Sequence, residues 1–336
     1  MPDRFGWGVV GAGRRAREVM VPALMAETSS DVVGVASGSP ENAEKAVADW
    51  PEIEVHENLD SLLEDEKVDV VYIASPHFLH VPQAVQAIEA GKHLFMESPM
   101  ALSVDGAHKL LEKSRSAGVK IGVAHQYRYH SAMRLIKDKI DSGELGRIKL
   151  LSVRCAEPLT WNRGWWLDVN RSGPASLLRL GVHALDLITW LKPDEVLEVM
   201  AMGVEEGEDE RINTMVTAMV RYTDNTLAYA LGASAVSAPD NGVRVEGEDG
   251  RLFLEGDMSG QGNLVLHQSG TAERTFESED PVSEMITAFT SYLAGEGEYH
   301  PDAADAKRLV EVTCATIDSM SSRKAVRIGD VFRTTG

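Results

Sequence analysis

The most constraining stretch of this chain is FGWGVVGAGRRAREVMVPAL, residues 5–24. A short apolar run turns through glycines and continues as a helical pattern. Gly11, Gly13 and Ala16 fit the spacing G-x-G-x-x-A. In that spacing the first glycine permits a tight turn and the second lets a pyrophosphate reach the backbone. The third small residue lets the helix lie close against the strand. A pyrophosphate would then sit at the helix N-terminus, where unpaired N–H groups and the dipole favour an anion. Gly11 and Gly13, with Arg14 and Arg15 beside them, are therefore candidate cofactor contacts.

Strands and helices alternate from there. DVVGVASGS (31–39) reads as a second strand, and its end carries Ser37-Gly38-Ser39 where an acid would hold the ribose diol of NAD. Without that acid a 2′-phosphate is not repelled, and Arg14 or Arg15 could reach it, so NADP is expected over NAD. Alternatively, Ser37 and Ser39 cap a helix starting near Pro40. KVDVVYIASPHFLH and HLFMESPMALS are apolar enough to be buried parallel strands, and KIGVAHQYRYH supplies another, running to His125 and Gln126. This alternation predicts an α/β doubly wound sheet binding ligands at its carboxyl edge. Ser75, Pro76, His80, Glu97 and Gln126 fall on that edge as further candidate cofactor contacts. Tyr127, Arg128 and His130 are expected to line a cleft between domains, with Tyr127 a candidate proton donor. His77 and His125 are expected one layer behind the site.

Beyond about residue 150 the texture changes to antiparallel strands, with TDNT and GEDG as the clearest hairpin turns. The expected domains are 1–125 for the nucleotide and 126–336 for substrate and oligomerisation, the last helix lying near the junction. One face of the second sheet should cover a long buried helix. The other would be free to pair with a second subunit, as a homodimer or homotetramer.

That helix, ASLLRLGVHALDLITWLK (175–192), carries Arg179, His183 and Asp186 at i, i+4 and i+7, on one face if it is α-helical. Such a stripe is either an internal ion-pair network or part of an active site. Just upstream, Arg163 and Arg171 lie beside Trp161, Trp165 and Trp166, half of the six tryptophans. Indole faces stack on sugars, and a guanidinium binds carboxylate or phosphate in bidentate fashion. Arg179, Asp186, Arg128, Arg163, Trp165 and Trp166 are thus candidate substrate contacts, for a substrate that could be anionic. In the alternative, Arg179 simply pairs with Asp186 or Glu97.

The net charge of -19 argues against nucleic acid or anionic membrane as partner. Two distant cysteines, Cys155 and Cys314, fit a reducing cytoplasm, and no signal peptide or membrane-length apolar run is visible. No metal is expected from the spacing of His, Cys, Asp and Glu.

Taken in order, GVVGAGRRA, VDVVYIASPHFLH, AGKHLFMESPMALS, HQYRYH, IDSGELGRI and LGVHALDLITWL resemble the glucose–fructose oxidoreductase/inositol dehydrogenase (Gfo/Idh/MocA) family over essentially the whole chain. The resemblance implies an N-terminal Rossmann domain and a C-terminal α/β domain with a large, mainly antiparallel open sheet. It also implies NAD(P)-dependent hydride transfer on a sugar, sugar acid or polyol, with His183 as acid/base. Two customary positions differ: Ser98 stands where the family has a catalytic lysine, and Arg179 where it has an aspartate. These departures keep two alternatives open, an NAD-dependent glycoside hydrolase and a homologue with impaired catalysis.

Overall fold

The computed structural model describes residues 4–158, 165, 169–206 and 212–333. The chain forms two compact units. One comprises Met1–His125 with Val282–Arg308, the other Gln126–Pro281 with Leu309–Gly336.

The first unit is built on six parallel strands: β1 (Phe5–Val10), β2 (Ser30–Ala36), β3 (Glu54–His56), β4 (Val70–Ile73), β5 (His93–Glu97) and β6 (Ile121–Ala124). Their order, β3-β2-β1-β4-β5-β6, is that of a doubly wound dinucleotide fold. β1, β4 and β6 are buried at every residue, as expected of strands covered on both faces. β3, with two of its three residues exposed, had no apolar run to announce it. The segment 282–308, assigned by sequence to the second domain, belongs to the first for a packing reason. Phe289 lies 4.9 Å from Phe95 and 5.9 Å from Trp7 between ring centroids. The Tyr299 hydroxyl donates to the Val123 carbonyl at 2.9 Å. Gly122 makes room for these rings, since a Cβ there would lie 2.6 Å from Phe289.

The second unit holds a nine-stranded sheet of β7 (Ile148–Ala156), β8 (Val196–Glu206), β9 (Ile212–Tyr222), β10 (Leu227–Ala233), β11 (Asp240–Gly247), β12 (Arg251–Gly256), β13 (Leu264–Gln268), β14 (Arg274–Phe276) and β15 (Val326–Arg327). The order is β14-β13-β12-β11-β7-β10-β9-β8-β15. All neighbours are antiparallel except β7 and β10. The expected TDNT hairpin joins β9 to β10, with Asn225 at φ 67, a conformation asparagine tolerates. The helix Val182–Leu191 packs on β7 and β10. On β8, Val199 and Ala201 are buried while Met200 and Met202 are exposed, the period-two alternation of a sheet covered on one face.

Candidate active site

The glycine turn in the first unit has the shape a dinucleotide requires. Gly11 adopts φ +90, and a Cβ there would sit 2.7 Å from the Ser75 amide nitrogen, so only glycine lets the turn approach the end of β4. A Cβ on Gly13 would meet nothing within 4 Å, which leaves the backbone open to a ligand. Ala16 is fully buried beneath the helix that follows. That helix opens with a π turn, Ala16–Met20, before the α-helix Val21–Ala26.

Beside this turn the two arginines divide. Arg14 is exposed and paired with Glu18 at 2.7 Å. Arg15 reaches across to Glu97 at the end of β5, at 3.3 Å, where the Tyr72 hydroxyl also donates at 2.6 Å. Burial, then the nearby Glu97 charge, push the Tyr72 phenol well above its ordinary pKa, so it stays a neutral donor. Ser39 accepts from the Asn42 amide as cap of the helix Pro40–Ala46, and Ser37 accepts from the Ser39 amide. The capping alternative is thus realised.

The other predicted edge residues are mostly inside. Ser75 is buried and donates to Gln83 at 2.5 Å. Ser98 is buried, and Pro76 precedes the turn His77–Leu79. His80 is fully buried, its ring nitrogens 2.8 Å from the Pro99 carbonyl and 2.9 Å from that of Ser75. Desolvation lowers its pKa, partly countered by those two carbonyls. A ring so enclosed ties two strand ends together. His77 packs against it at 5.5 Å, and His125 is buried.

In the second unit, residues 177–181 form a π turn, not the α-helix assumed from the spacing. The wider turn shifts Arg179 relative to the α-helix that begins at Val182, and the three polar residues take separate partners. Arg179 pairs with Glu157, past the end of β7, at 3.5 Å; sequence reasoning had offered Asp186 or Glu97. Both of those are engaged elsewhere. Asp186, 1% exposed, takes two hydrogen bonds from Arg128, at 2.9 Å from Nε and 2.6 Å from Nη2. Arg128 also lies over the Trp190 ring. A carboxylate and guanidinium buried against each other anchor the helix.

His183 differs from its neighbours. From Val182 to Thr189 every residue is buried except this one. Its ring faces Tyr127, itself buried, at 5.0 Å. Tyr127 belongs to the turn Gln126–Tyr129, followed by His130, which bridges Glu279 and the Met258 carbonyl at 2.9 Å each. The helix sits low on the sheet because two glycines meet: a Cβ on Gly232 would lie 2.4 Å from the Gly181 nitrogen. That pair, and Glu157, were missed because their meaning depends on strands distant in sequence. Trp165 is partly exposed and Arg171 exposed, whereas Trp161, Arg163 and Trp166 lie outside the described residues.

Together the strand order and the glycine turn define the class of dinucleotide-binding Rossmann proteins. Residues 5–125 match the family model described as "Oxidoreductase family, NAD-binding Rossmann fold", and residues 133–253 that of the "GFO/IDH/MocA C-terminal domain". The chain belongs to the Gfo/Idh/MocA family and is an oxidoreductase. It is 28% identical over 330 residues to the 1,5-anhydro-D-fructose reductase of Ensifer adhaerens, covering 96% of this chain and 98% of that one. It is 30% identical over 214 residues to the glucose-6-phosphate 3-dehydrogenase of Bacillus subtilis strain 168, covering 61% and 60%. Among solved structures, the aldose-aldose oxidoreductase from Caulobacter crescentus complexed with glycerol superposes with a TM-score of 0.86, at 20% identity over 96% of this chain and 99% of that one. No described helix is long and apolar enough to cross a membrane.

Proposed function

We propose that the protein oxidises or reduces a CH–OH group of a sugar, sugar acid or polyol, with His183 as the acid/base. The observation that carries this reading is the single opening at His183 in a helix face otherwise closed from Val182 to Thr189. The nicotinamide, when bound, supplies or accepts the hydride. His183 takes the hydroxyl proton in oxidation and returns it in reduction. Tyr127 holds the imidazole plane, and the buried Arg128–Asp186 pair fixes the helix under it. Ser98 can donate a hydrogen bond but supplies no charge. His183→Ala should abolish turnover and leave cofactor affinity unchanged; full activity would remove His183 from the mechanism.

Gly11 and Gly13 would carry the pyrophosphate, and NADP is preferred over NAD, with Arg14 as the 2′-phosphate ligand. Arg15 is already committed to Glu97, and no acid ends β2. Titration calorimetry with both cofactors decides this; tighter binding of NAD would reverse it. An anionic sugar fits Arg179, since a partly exposed guanidinium suits bidentate binding of a carboxylate or phosphate. The phosphorylated sugar in the name of the Bacillus relative points the same way. Arg179→Ala should then raise KM for acidic substrates far more than for neutral ones.

A second copy of the chain is the proposed cover for the open sheet face, where Met200, Met202, Val204, Met219 and Leu227 are exposed. Met202→Glu should shift the oligomer toward monomer in sedimentation. Cys155 and Cys314 form no disulfide, and Cys155 is buried and raised in pKa by desolvation, which fits a cytoplasmic protein.

A further inference from the structure

Outside the candidate active site, β3 carries a polar group that neither the fold nor the proposed reaction uses. β3 is the edge strand of the first sheet, pairing only with β2. Glu54 and His56 are two residues apart and so share a face. Asp65 caps the helix Leu59–Glu64 and brings its carboxylate to the same place. One ligand atom from each of the three lies within 4.8 Å of the others.

Two features separate this group from an ordinary ion pair. The His56 side chain is only 7% exposed, and its Nε2 is buried without a hydrogen-bond partner. It points at Asp65 Oδ2 across 3.6 Å, too wide for a good hydrogen bond. Two ligands each about 2.0–2.1 Å from a tetrahedral ion are separated by roughly 3.3–3.4 Å, close to the gap seen here. The surroundings hold the donors in this pose. Asp65 Oδ1 accepts the Lys67 amide at 2.8 Å, which leaves Oδ2 turned toward the ring. Gly34 on β2 leaves space for the imidazole, as a Cβ there would lie 2.7 Å from Nε2. The nearby Lys92 ammonium is held by the carbonyls of Asp65 and Val68.

We propose that Glu54, His56 and Asp65 form a binding site for a divalent transition metal. One imidazole and two carboxylates suit a borderline ion such as zinc better than calcium or magnesium, which favour all-oxygen shells. Water would complete the coordination, since Glu54 is exposed. The ion ties a three-residue edge strand to the turn after the neighbouring helix, stabilising the sheet end that carries Ala36 and Ser37. Two other histidines near carboxylates are far more exposed, although the His267 Nε2 also lacks a hydrogen-bond partner. His300 is half exposed and bonded directly to Asp305 at 2.6 Å, and His267 is a third exposed and 3.0 Å from Glu273.

Zinc binding to the metal-stripped full chain, measured by titration calorimetry and by the rise in Tm with zinc concentration, tests the site. The wild type should bind one zinc per chain. Glu54→Gln should keep the metal-free Tm, because Glu54 is exposed, and lose affinity by at least about tenfold, the lower bound seen even for outer-shell partners. His56→Gln should abolish binding. Cobalt substitution should give a visible absorption band that disappears in His56→Gln. Absence of binding to the wild type, or equal binding by all three proteins, overturns the proposal.

Discussion

Replacing Arg128 by methionine removes one half of the buried pair beneath the His183 helix. The guanidinium and the Asp186 carboxylate approach to 2.6 Å, at side-chain exposures of 5% and 1%. At an effective dielectric near 20 their gross attraction is on the order of 6 kcal/mol. Most of that offsets the desolvation of two ions, so the pair as a whole contributes little net stability. Removing only the cation deprives the buried Asp186 carboxylate of its bidentate guanidinium, and the expected destabilisation is about 3–5 kcal/mol. Arg128→Met combined with Asp186→Leu should recover most of it, because no charge then remains buried. The Arg128 stack on Trp190, centred 5.6 Å away, adds roughly 0.5–1 kcal/mol that survives in Asp186→Leu. Urea unfolding of the wild type, both single variants and the double variant, read by tryptophan fluorescence and far-ultraviolet circular dichroism, yields the coupling energy. A coupling of at least about 3 kcal/mol is expected; a coupling within about 0.5 kcal/mol of zero refutes the reasoning.

Three other outcomes follow from single sites. Gly11→Ala, at φ +90 and against the Ser75 backbone, should destabilise the first unit by at least about 2 kcal/mol, whereas Gly13→Ala should melt like wild type yet bind cofactor poorly in calorimetry. His80→Ala removes the one hydrogen bond that the neutral ring donates to the Ser75 or Pro99 carbonyl and opens a cavity, so thermal unfolding should show a loss of about 2–4 kcal/mol. Burial alone would raise the Asp224 carboxyl, but Lys192 at 2.9 Å and the amide and hydroxyl of Thr226 outweigh it and hold it at about 2. A depressed folded pKa means stability that is complete above the unfolded value near 3.9 and is lost as pH falls toward 2. With Asp224 36% exposed, screening reduces its contribution to about 1 kcal/mol; Asp224→Asn should lose that at pH 7 and flatten the acid limb of the stability profile.

The first half of the molecule was legible because its information is local. Gly11, Gly13 and Ala16 act within one turn, and buried parallel strands announce themselves as continuous apolar runs. The TDNT hairpin and the alternating exposure of β8 were legible for the same reason. β3 escaped notice because an edge strand of three residues needs no apolar face, and with it went the meeting of His56 and Asp65.

Only the tertiary structure decided which charges meet. The π turn at 177–181 broke the register on which the stripe of Arg179, His183 and Asp186 was based. Arg179 went to Glu157, Asp186 to Arg128, and Arg15 to Glu97, each across elements whose separation along the chain says nothing about distance. Residues 282–308 joined the first unit because Phe289 and Tyr299 fill its aromatic core. Periodicity reports which face of an element is buried; the partner waiting there is chosen by packing.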